Sequence, residues 1–443
     1  MALAPKGHTA YPVCEMALPQ QVLEADPESV GLSSARLDYV SRWAAGLVQT
    51  GVIPGAMTMV ARHGKVVHFS MHGSMDVEAG KPMAADAIFR IFSMTKPIVS
   101  LALMTLYEEA HFQLDDPASR YLPELRGMRV FDGGTADQPR LRDPAREMTV
   151  RDLLMHTSGM PGLFDLLPPH LQQTPVPLTP VQELYRRADI RTLRTDGETL
   201  AGFAAKVGRT PLQVDPGSKW IYGLSTDLVG YLCEVLAGQP LDVFLQERIL
   251  GPLGMVDTAF DVPESNISRL AACYRLGAPG EPPYVLLDTP ATSPWTHKQT
   301  FFSGVAGLVS TIGDYMRFAK MLANGGELDG RRVIGPRTLQ LMASNHLPGG
   351  VDIRSMAFGG GPAPAGVGFG LGFGVLLDPT VNQTLGTPGE FYWGGAASTS
   401  FFVSPRDGLV AMFMTQLLNG LPHQFPRFLR VLTCQALLDQ DRS

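Results

Sequence analysis

The sequence predicts an α+β fold in which one antiparallel sheet, flanked by helices, is assembled from both ends of the chain. Strand-like segments occur at residues 56–73 and return between residues 370 and 414, whereas residues 93–300 show mainly helical patterns joined by loops rich in proline and glycine. A chain of 443 residues is long enough for a large core and two packed subdomains. Strands at both ends with helices between them indicate a mainly helical subdomain inserted into the sheet.

These patterns divide the chain into an N-terminal extension and one folded domain. The extension covers residues 1–27 and the domain covers residues 28–443. Within the domain, we expect a sheet subdomain at about residues 28–92 and 301–443, and a helical subdomain at about residues 93–300. Binding sites often form in clefts between subdomains, so we expect the functional site where these two meet.

The first predicted elements of the domain are a helix and a β-hairpin. Residues 28–50 predict an amphipathic helix, because Ser33 and Ser34 supply a cap and apolar residues then recur at helical spacing. Residues 57–62 and 66–70 change to a strand-like pattern. The intervening His63-Gly64-Lys65 is typical of a tight turn, so the two strands are expected to pair.

The remaining elements follow from the same kinds of signal. A helix is predicted at residues 226–236, and a helix ending in a turn at residues 251–255. Near the C-terminus, strands are predicted at residues 370–376, 398–403 and 409–414, with a turn at residues 404–408. A helix from about residue 424 to residue 438 closes the chain.

Composition excludes several classes of partner. The chain has 45% hydrophobic and 18% charged residues, with a formal net charge of −6 and a pI near 5.9. This is the composition of a globular protein, and it carries no electrostatic footprint for nucleic acid or for an anionic membrane. A small molecule is the expected partner, and the sequence leaves the oligomeric state open.

The cysteines and the N-terminal segment bear on metal binding and on localisation. Cys14, Cys233, Cys273 and Cys434 are scattered without a Cys-x-x-Cys pair, so we expect no zinc site and no other metal or cofactor. Residues 1–27 lack the continuous apolar stretch of a signal peptide, and no run of eighteen apolar residues occurs elsewhere. We expect a cytoplasmic protein.

The segment Ser93-Met94-Thr95-Lys96 points most directly to chemistry. It precedes a nearly continuous apolar run over residues 97–106, which predicts a buried helix with Pro97 tolerated in its first turn. Residues i and i+3 share a helix face, so the Lys96 amine can reach the Ser93 hydroxyl. A helix N-terminus also favours anionic charge, which suits an activated serine. The plain alternative is that Ser93 only caps the helix and Lys96 is a solvated charge.

Five short segments form a pattern far more specific than the Ser-x-x-Lys quartet. They are residues 92–96, 149–159, 216–217 ahead of Tyr222, 252–258 and 307–311. Together they resemble, over most of the chain, the serine β-lactamase and penicillin-binding-protein superfamily, and within it the class C-like esterases known as family VIII carboxylesterases. The resemblance implies a β-lactamase-like fold and serine hydrolase activity on carboxylic esters of short to medium acyl chains.

The resemblance also implies three catalytic elements. Ser93 would be the nucleophile, with Lys96 beside it. Tyr222, in the position of a Tyr-x-Asn element, would be the general base in concert with Lys96. The third element, a Lys-Thr-Gly strand in relatives, here reads Trp393-Gly394-Gly395 and is followed by Ala396. The backbone N–H groups of Ser93 and Ala396 would form the oxyanion hole. The two glycines, which have no side chain, would let the backbone approach the acyl group closely.

Two departures from the superfamily pattern bear on the substrate. Leu224 replaces the asparagine of the second element, and Trp393 replaces the lysine of the third. In antibiotic-processing relatives those residues recognise an amide side chain and a carboxylate. A pocket formed by Leu224, Trp393, Gly394 and Gly395 suits an uncharged acyl or alkoxy group, so an ester is the expected substrate.

Other interpretations remain open. A β-lactamase, a D-alanyl peptidase or an acyltransferase of the same superfamily uses the same nucleophile, and a non-catalytic binding or assembly protein is a fourth option. His156 also suggests a Ser-His-Asp triad, with Asp152 or Asp227 as the acid and Ser158 or Ser93 as the nucleophile. The chain contains no Gly-x-Ser-x-Gly sequence, however, and His156 is better explained as part of a turn after a helix.

Overall fold

The fold is organised around one large antiparallel sheet. The computed structural model describes residues 22–162, 177–193, 196–358, 363–418, 420 and 423–438. The strands in this part of the chain are β1 (Gly55–Arg62), β2 (Lys65–Asp76), β3 (Lys81–Pro82), β4 (Phe89–Arg90), β5 (Val130–Gly134), β6 (Pro139–Arg142), β7 (Cys273–Leu276), β8 (Tyr284–Asp288), β9 (Val309–Ser310), β10 (Glu327–Leu328), β11 (Arg331–Arg332), β12 (Val367–Phe369), β13 (Gly374–Leu376), β14 (Phe391–Gly394), β15 (Ser400–Ser404), β16 (Leu409–Met414) and β17 (Leu417–Leu418).

The helices pack mainly between and around these strands. Those in the described part of the chain are α1 (Ser34–Gln49), α2 (Thr95–Glu108), α3 (Val150–Leu154), α4 (Pro180–Arg187), α5 (Leu200–Gly208), α6 (Ser225–Ala237), α7 (Leu241–Leu245), α8 (Gly251–Leu253), α9 (Ile312–Ala323), α10 (Pro336–Met342), α11 (Ile353–Met356), α12 (Pro379–Asn382) and α13 (Phe425–Cys434).

The main sheet joins the two ends of the chain, as predicted. Its eight strands run in the order β12-β13-β14-β15-β16-β1-β2-β3, and every neighbouring pair is antiparallel. The join lies between β1 and β16, where Met57 is opposite Met414 and Arg62 is opposite Leu409. The α+β fold predicted from the strand distribution is confirmed.

Side chains on the central strands alternate between two cores, because successive residues of a strand point to opposite faces. Met57 and Met59 of β1 pack into the core that contains most of α2 and α6. Ala56 and Val60 of the same strand pack into a second core with α1 and α13. The sheet is therefore covered on both faces, and the first of these cores is also where α2 is buried.

Several local predictions are confirmed by the caps and turns. Ser33 is the N-cap of α1, and its hydroxyl accepts a hydrogen bond from the backbone N–H of Arg36. The β1–β2 hairpin turns at His63 and Gly64, both with positive φ. The helix predicted at residues 226–236 is α6, and the strand predicted at residues 409–414 is β16. Residues 1–21 and 163–176 lie outside the described residues.

One predicted strand is wrong in detail. Residues 370–376 were expected to form one strand, but Gly370–Phe373 form the turn of the β12–β13 hairpin, and only residues 374–376 are extended. Gly372 has φ +95° and lies against Ser100 of α2, so a side chain has no room there. Residues 93–300 also contain strands, namely the β5–β6 hairpin and the β7–β8 pair. The division into two subdomains stays a prediction.

No single helix among the described residues has the length and apolar composition to cross a membrane. One bent pair, Ser225–Ala237 with Leu241–Leu253, reaches the required length and composition only when taken together across an 82° bend.

Candidate active site

Ser93 lies in a buried turn immediately before α2. The turn, Phe92–Met94, is a short 3₁₀ helix, and Ser93 is 6% exposed. Phe92 has φ +43°, a backbone conformation that an L-residue with a bulky side chain adopts only when its surroundings enforce it. The Ile91 N–H donates to the Leu308 carbonyl, and the Tyr315 hydroxyl donates to the Met94 carbonyl at 2.9 Å. The serine is thus held by contacts from α9 and from the segment leading into β9.

Lys96 and Tyr222 meet at this serine. The Nζ of Lys96 donates to Ser93 Oγ at 3.2 Å and to the Val305 carbonyl at 3.0 Å. The same Nζ lies 4.5 Å from the centroid of the Tyr222 ring. Lys96 is 1% exposed, so its amine is removed from bulk water. The structure therefore brings the three residues predicted for catalysis together, with the Lys96 amine in contact with both the Ser93 hydroxyl and the Tyr222 ring.

Tyr222 is positioned by a short segment that precedes α6. The Ile221 N–H donates to the His156 carbonyl at 2.9 Å, and the Trp220 N–H donates to the Met356 carbonyl at 3.0 Å. Leu224, two residues after Tyr222, is the N-cap residue of α6 and is completely buried. Its side chain belongs to the core that contains α2. Contact between Leu224 and a substrate stays a prediction.

An aromatic cluster surrounds Tyr222, and it consists of His156, Trp220, Tyr222, Phe369 and Trp393. The Tyr222 ring lies 5.5 Å from Trp393 and 5.9 Å from Trp220, with which it is nearly parallel. Phe369 closes the group, 5.3 Å from Trp393 and 5.6 Å from Trp220. Trp393 is half-buried beside the proposed base, which suits the predicted role in substrate binding. The sequence did not predict that Trp220 and Phe369 lie at the site, because no motif surrounds either residue.

His156 belongs to this cluster but does not form a triad with either candidate acid. Its ring lies 4.9 Å from the Tyr222 ring. Burial, and secondarily the nearby charge of Lys96, holds its pKa well below the usual value, so the imidazole is neutral. The Asp152 carboxylate accepts instead from the Arg146 guanidinium and from the Thr149 backbone, in a capping box of α3. Asp227, the other candidate, accepts from neither His156 nor Ser93.

The end of β14 approaches the backbone of the serine turn. The Gly395 N–H donates to the Thr399 carbonyl at 2.8 Å. A Cβ on Gly395 would lie well under 3.0 Å from both the Ile91 carbonyl oxygen and Thr399 Oγ1, so only glycine fits. Ala396 follows and is exposed. Among the described residues, the backbone N–H groups of Ser93 and Ala396 donate to no other group, as an oxyanion hole requires.

Behind Lys96 lies a polar group whose role the sequence did not predict. Asp227 Oδ1 accepts from the Val305 N–H at 3.0 Å and from Ser303 Oγ at 2.8 Å. Asp227 lies in the first turn of α6, but its link to Lys96 runs through the distant residue Val305, so the sequence gave no local signal for it. The described residues contain no group of three or more histidines, cysteines or carboxylates placed to hold a metal ion.

Comparison with known proteins agrees with this fold. The chain matches the Beta-lactamase protein family over residues 40–433, and it belongs to that family. It is 32% identical to the Mycobacterium tuberculosis protein Rv1367c, with 83% of this chain and 86% of that protein covered. It is also 32% identical to esterase EstB from Burkholderia gladioli, over 88% of this chain and 93% of EstB.

A solved structure extends the comparison to three dimensions. The structure described as EstCE1, a hydrolase with promiscuous acyltransferase activity, superposes with a TM-score of 0.73 at 25% identity. The match covers 93% of this chain and 99% of EstCE1. The family is one of enzymes, and the resemblance to β-lactamase-like serine hydrolases predicted from the motifs is confirmed.

Proposed function

We propose that the protein is a serine carboxylesterase that cleaves esters of short to medium acyl chains through a covalent acyl-enzyme. The observation that carries the proposal is the position of the Lys96 amine, 3.2 Å from Ser93 Oγ and 4.5 Å from the Tyr222 ring centroid. An activated serine needs a base within hydrogen-bond reach and a third group that orients it. Similarity to esterase EstB supports the choice of an ester substrate.

The reaction proceeds in two halves. Tyr222, acting with Lys96, removes the Ser93 proton as Oγ attacks the ester carbonyl carbon. The backbone N–H groups of Ser93 and Ala396 stabilise the resulting oxyanion. The tetrahedral intermediate collapses, the carbon–oxygen bond to the alcohol breaks, and Tyr222 returns the proton to the departing alkoxide. Water then attacks the acyl-enzyme by the reverse proton path, which releases the carboxylic acid and restores Ser93.

The chemistry of the third element favours esters over β-lactams. Trp393 stands where a carboxylate-binding lysine occurs in relatives, and it packs against Tyr222 without supplying a cation. An ester needs no binding energy from a carboxylate, whereas the common β-lactam substrates carry one. We therefore expect p-nitrophenyl butyrate to be a better substrate than nitrocefin. A preference for nitrocefin would replace the esterase proposal with the β-lactamase alternative.

Acyl transfer to an alcohol is the second candidate function. The acyl-enzyme is the same, and an alcohol replaces water in the second half-reaction. The similarity of this chain to EstCE1, a hydrolase with promiscuous acyltransferase activity, favours this candidate. Product analysis of p-nitrophenyl butyrate turnover in the presence of added alcohols separates the two, since only transfer yields a new ester.

The decisive experiment removes the nucleophile. Ser93→Ala should abolish ester hydrolysis, a loss of several orders of magnitude, because without Oγ no acyl-enzyme forms. Ser93 does not cap α2, whose N-cap residue is Met94. The melting temperature should stay close to that of the wild type, since a hydrogen bond such as the one from Lys96 to Ser93 Oγ contributes only about 1 kcal/mol. A phosphonate ester should label the wild type at Ser93 by mass spectrometry. Retained turnover above a few per cent, or labelling at another serine, would refute the assignment.

A further inference from the structure

Two buried groups of opposite charge lie close together behind Ser93. Lys96 is 1% exposed and Asp227 is 0% exposed. Their side chains form no direct ion pair. Isolated charges are costly to bury, so two of opposite sign in one region of the core call for an explanation.

Val305 connects them. The N–H of Val305 donates to Asp227 Oδ1 at 3.0 Å, and the carbonyl of the same residue accepts from Lys96 Nζ at 3.0 Å. Ser303 Oγ donates to the same Oδ1 at 2.8 Å. The Asp227 carboxylate thus holds Val305 in place, and Val305 in turn holds the Lys96 amine. A small displacement of Val305 would move the amine relative to Ser93 Oγ.

The carboxyl of Asp227 is set up to be charged at neutral pH despite its burial. Burial raises its pKa to about 6, and hydrogen bonds from Val305 and Ser303 and the charge of Lys96 oppose that rise. Its place in the first turn of α6 also favours a negative charge. Oδ2 has no hydrogen-bond partner among the described residues. The Thr192 side chain, which hydrogen-bonds with Ser303 Oγ, also lowers the pKa of this carboxyl.

The other titratable groups facing Lys96 come from different elements. Tyr222 precedes α6 and presents its ring to the amine. His156 follows α3 and is neutral, because burial holds its pKa well below the usual value. Asp227 therefore supplies a negative charge to a site in which the histidine supplies none.

We propose that Asp227 is a positioning residue for Lys96: it holds the amine against Ser93 through Val305, and its charge keeps the proton on Lys96 so that Tyr222 receives the serine proton. This inference rests on the proposed function, because it assumes that Ser93 is the nucleophile. Without the carboxylate, the positive charge of the Lys96 amine loses the negative charge that stabilises it. The pH at which Ser93 becomes reactive should then fall.

The test is Asp227→Asn in the full-length chain, since asparagine keeps an oxygen acceptor for Val305 and Ser303 but removes the charge. The measurement is the rate at which a p-nitrophenyl phosphonate ester labels Ser93 between pH 5 and 10. We expect the acid limb of the rate profile to move to lower pH by about one unit or more. An unchanged limb would overturn the proposal.

A matched control is Asp314→Asn. Asp314 is also a buried carboxylate in the first turn of a helix, and it accepts from the Asp257 N–H and from Thr258 Oγ1. Asp314→Asn should be less stable than the wild type, but the acid limb of its labelling-rate profile should lie at the same pH as in the wild type. An equal shift in both variants would mean that the limb reports general loosening, which would also overturn the proposal.

If Asp227→Asn does not fold, the same coupling is measured from its other side. In ¹³C-aspartate-labelled Lys96→Met, the Asp227 carboxyl should titrate at a higher pH than in the wild type, because the neighbouring positive charge is gone. An unchanged midpoint would overturn the proposal. Failure of the wild type to be labelled at Ser93 at any pH would instead refute the proposed function.

Discussion

Gly395→Ala tests the contact between β14 and the serine turn, where the two ends of the chain build one site. The φ of Gly395 lies outside the left-handed range, so alanine meets no backbone penalty there. Its Cβ, however, would overlap the Ile91 carbonyl oxygen. An ordinary contact of 3.4 Å requires the two backbones to separate by about 1 Å. Because Ile91 and Gly395 flank the predicted oxyanion hole, the donors from Ser93 and Ala396 would move apart.

A displacement of about 1 Å in catalytic groups can lower activity about 100-fold, so we expect that loss in kcat/KM for p-nitrophenyl butyrate. Overpacking should also destabilise the fold by about 1 to 3 kcal/mol, so activity is normalised to the folded fraction from thermal unfolding. Gly394→Ala is the matched control, because its Cβ would meet the Thr399 carbonyl oxygen at 3.0 Å and needs only a slight adjustment. If the two variants had equal kcat/KM, the close contact between Gly395 and the Ile91 carbonyl would not be what positions the oxyanion-hole donors.

Two further predictions concern the proposed base and the pH dependence of stability. Tyr222→Phe should lower kcat/KM by at least about 100-fold. His156→Ala should keep activity per folded molecule within about tenfold of the wild type and should lower the melting temperature. A larger loss of activity in His156→Ala than in Tyr222→Phe would identify His156 as the base. His68, on the sheet face covered by α1, has its pKa lowered by burial to about 4, and its ring nitrogen hydrogen-bonds with Thr58 Oγ1. The folded state therefore disfavours the protonated form, so stability present above about pH 6.5 should be lost as the pH falls to 4, by up to about 3 kcal/mol. Urea unfolding of the wild type and His68→Gln across that range measures this, and identical pH dependence would contradict it.

Elements with strong local signals were predictable from the sequence. The His63-Gly64 turn fixed the β1–β2 hairpin, and the apolar run of β16 marked a strand that is buried throughout. The spacing of Ser93 and Lys96 predicted their contact, because helix geometry alone decides it. These are cases in which neighbours in sequence determine the structure.

Other features depend on distant parts of the chain and gave no local signal. Residues 370–376 have strand-like composition, yet the packing of Gly372 against Ser100 imposes a turn. The link from Asp227 to Lys96 passes through Val305, which is separated from both by many residues. These features depend on packing between residues that are far apart in the sequence, which the periodicity of apolar residues does not reveal.

The sheet shared by the two chain ends has a consequence for biosynthesis. Gly395 lies about 300 residues after Ser93, so a ribosome adding roughly 5 to 20 residues per second takes about 15 to 60 s to deliver it. During that time β1 has no β16 beside it, and an unpaired strand edge is prone to associate with other chains. If the proposed function is correct, Ser93 is made early but lacks the Ala396 N–H of the proposed oxyanion hole until the last strands arrive, and hydrolysis would begin only when the nascent chain closes its sheet.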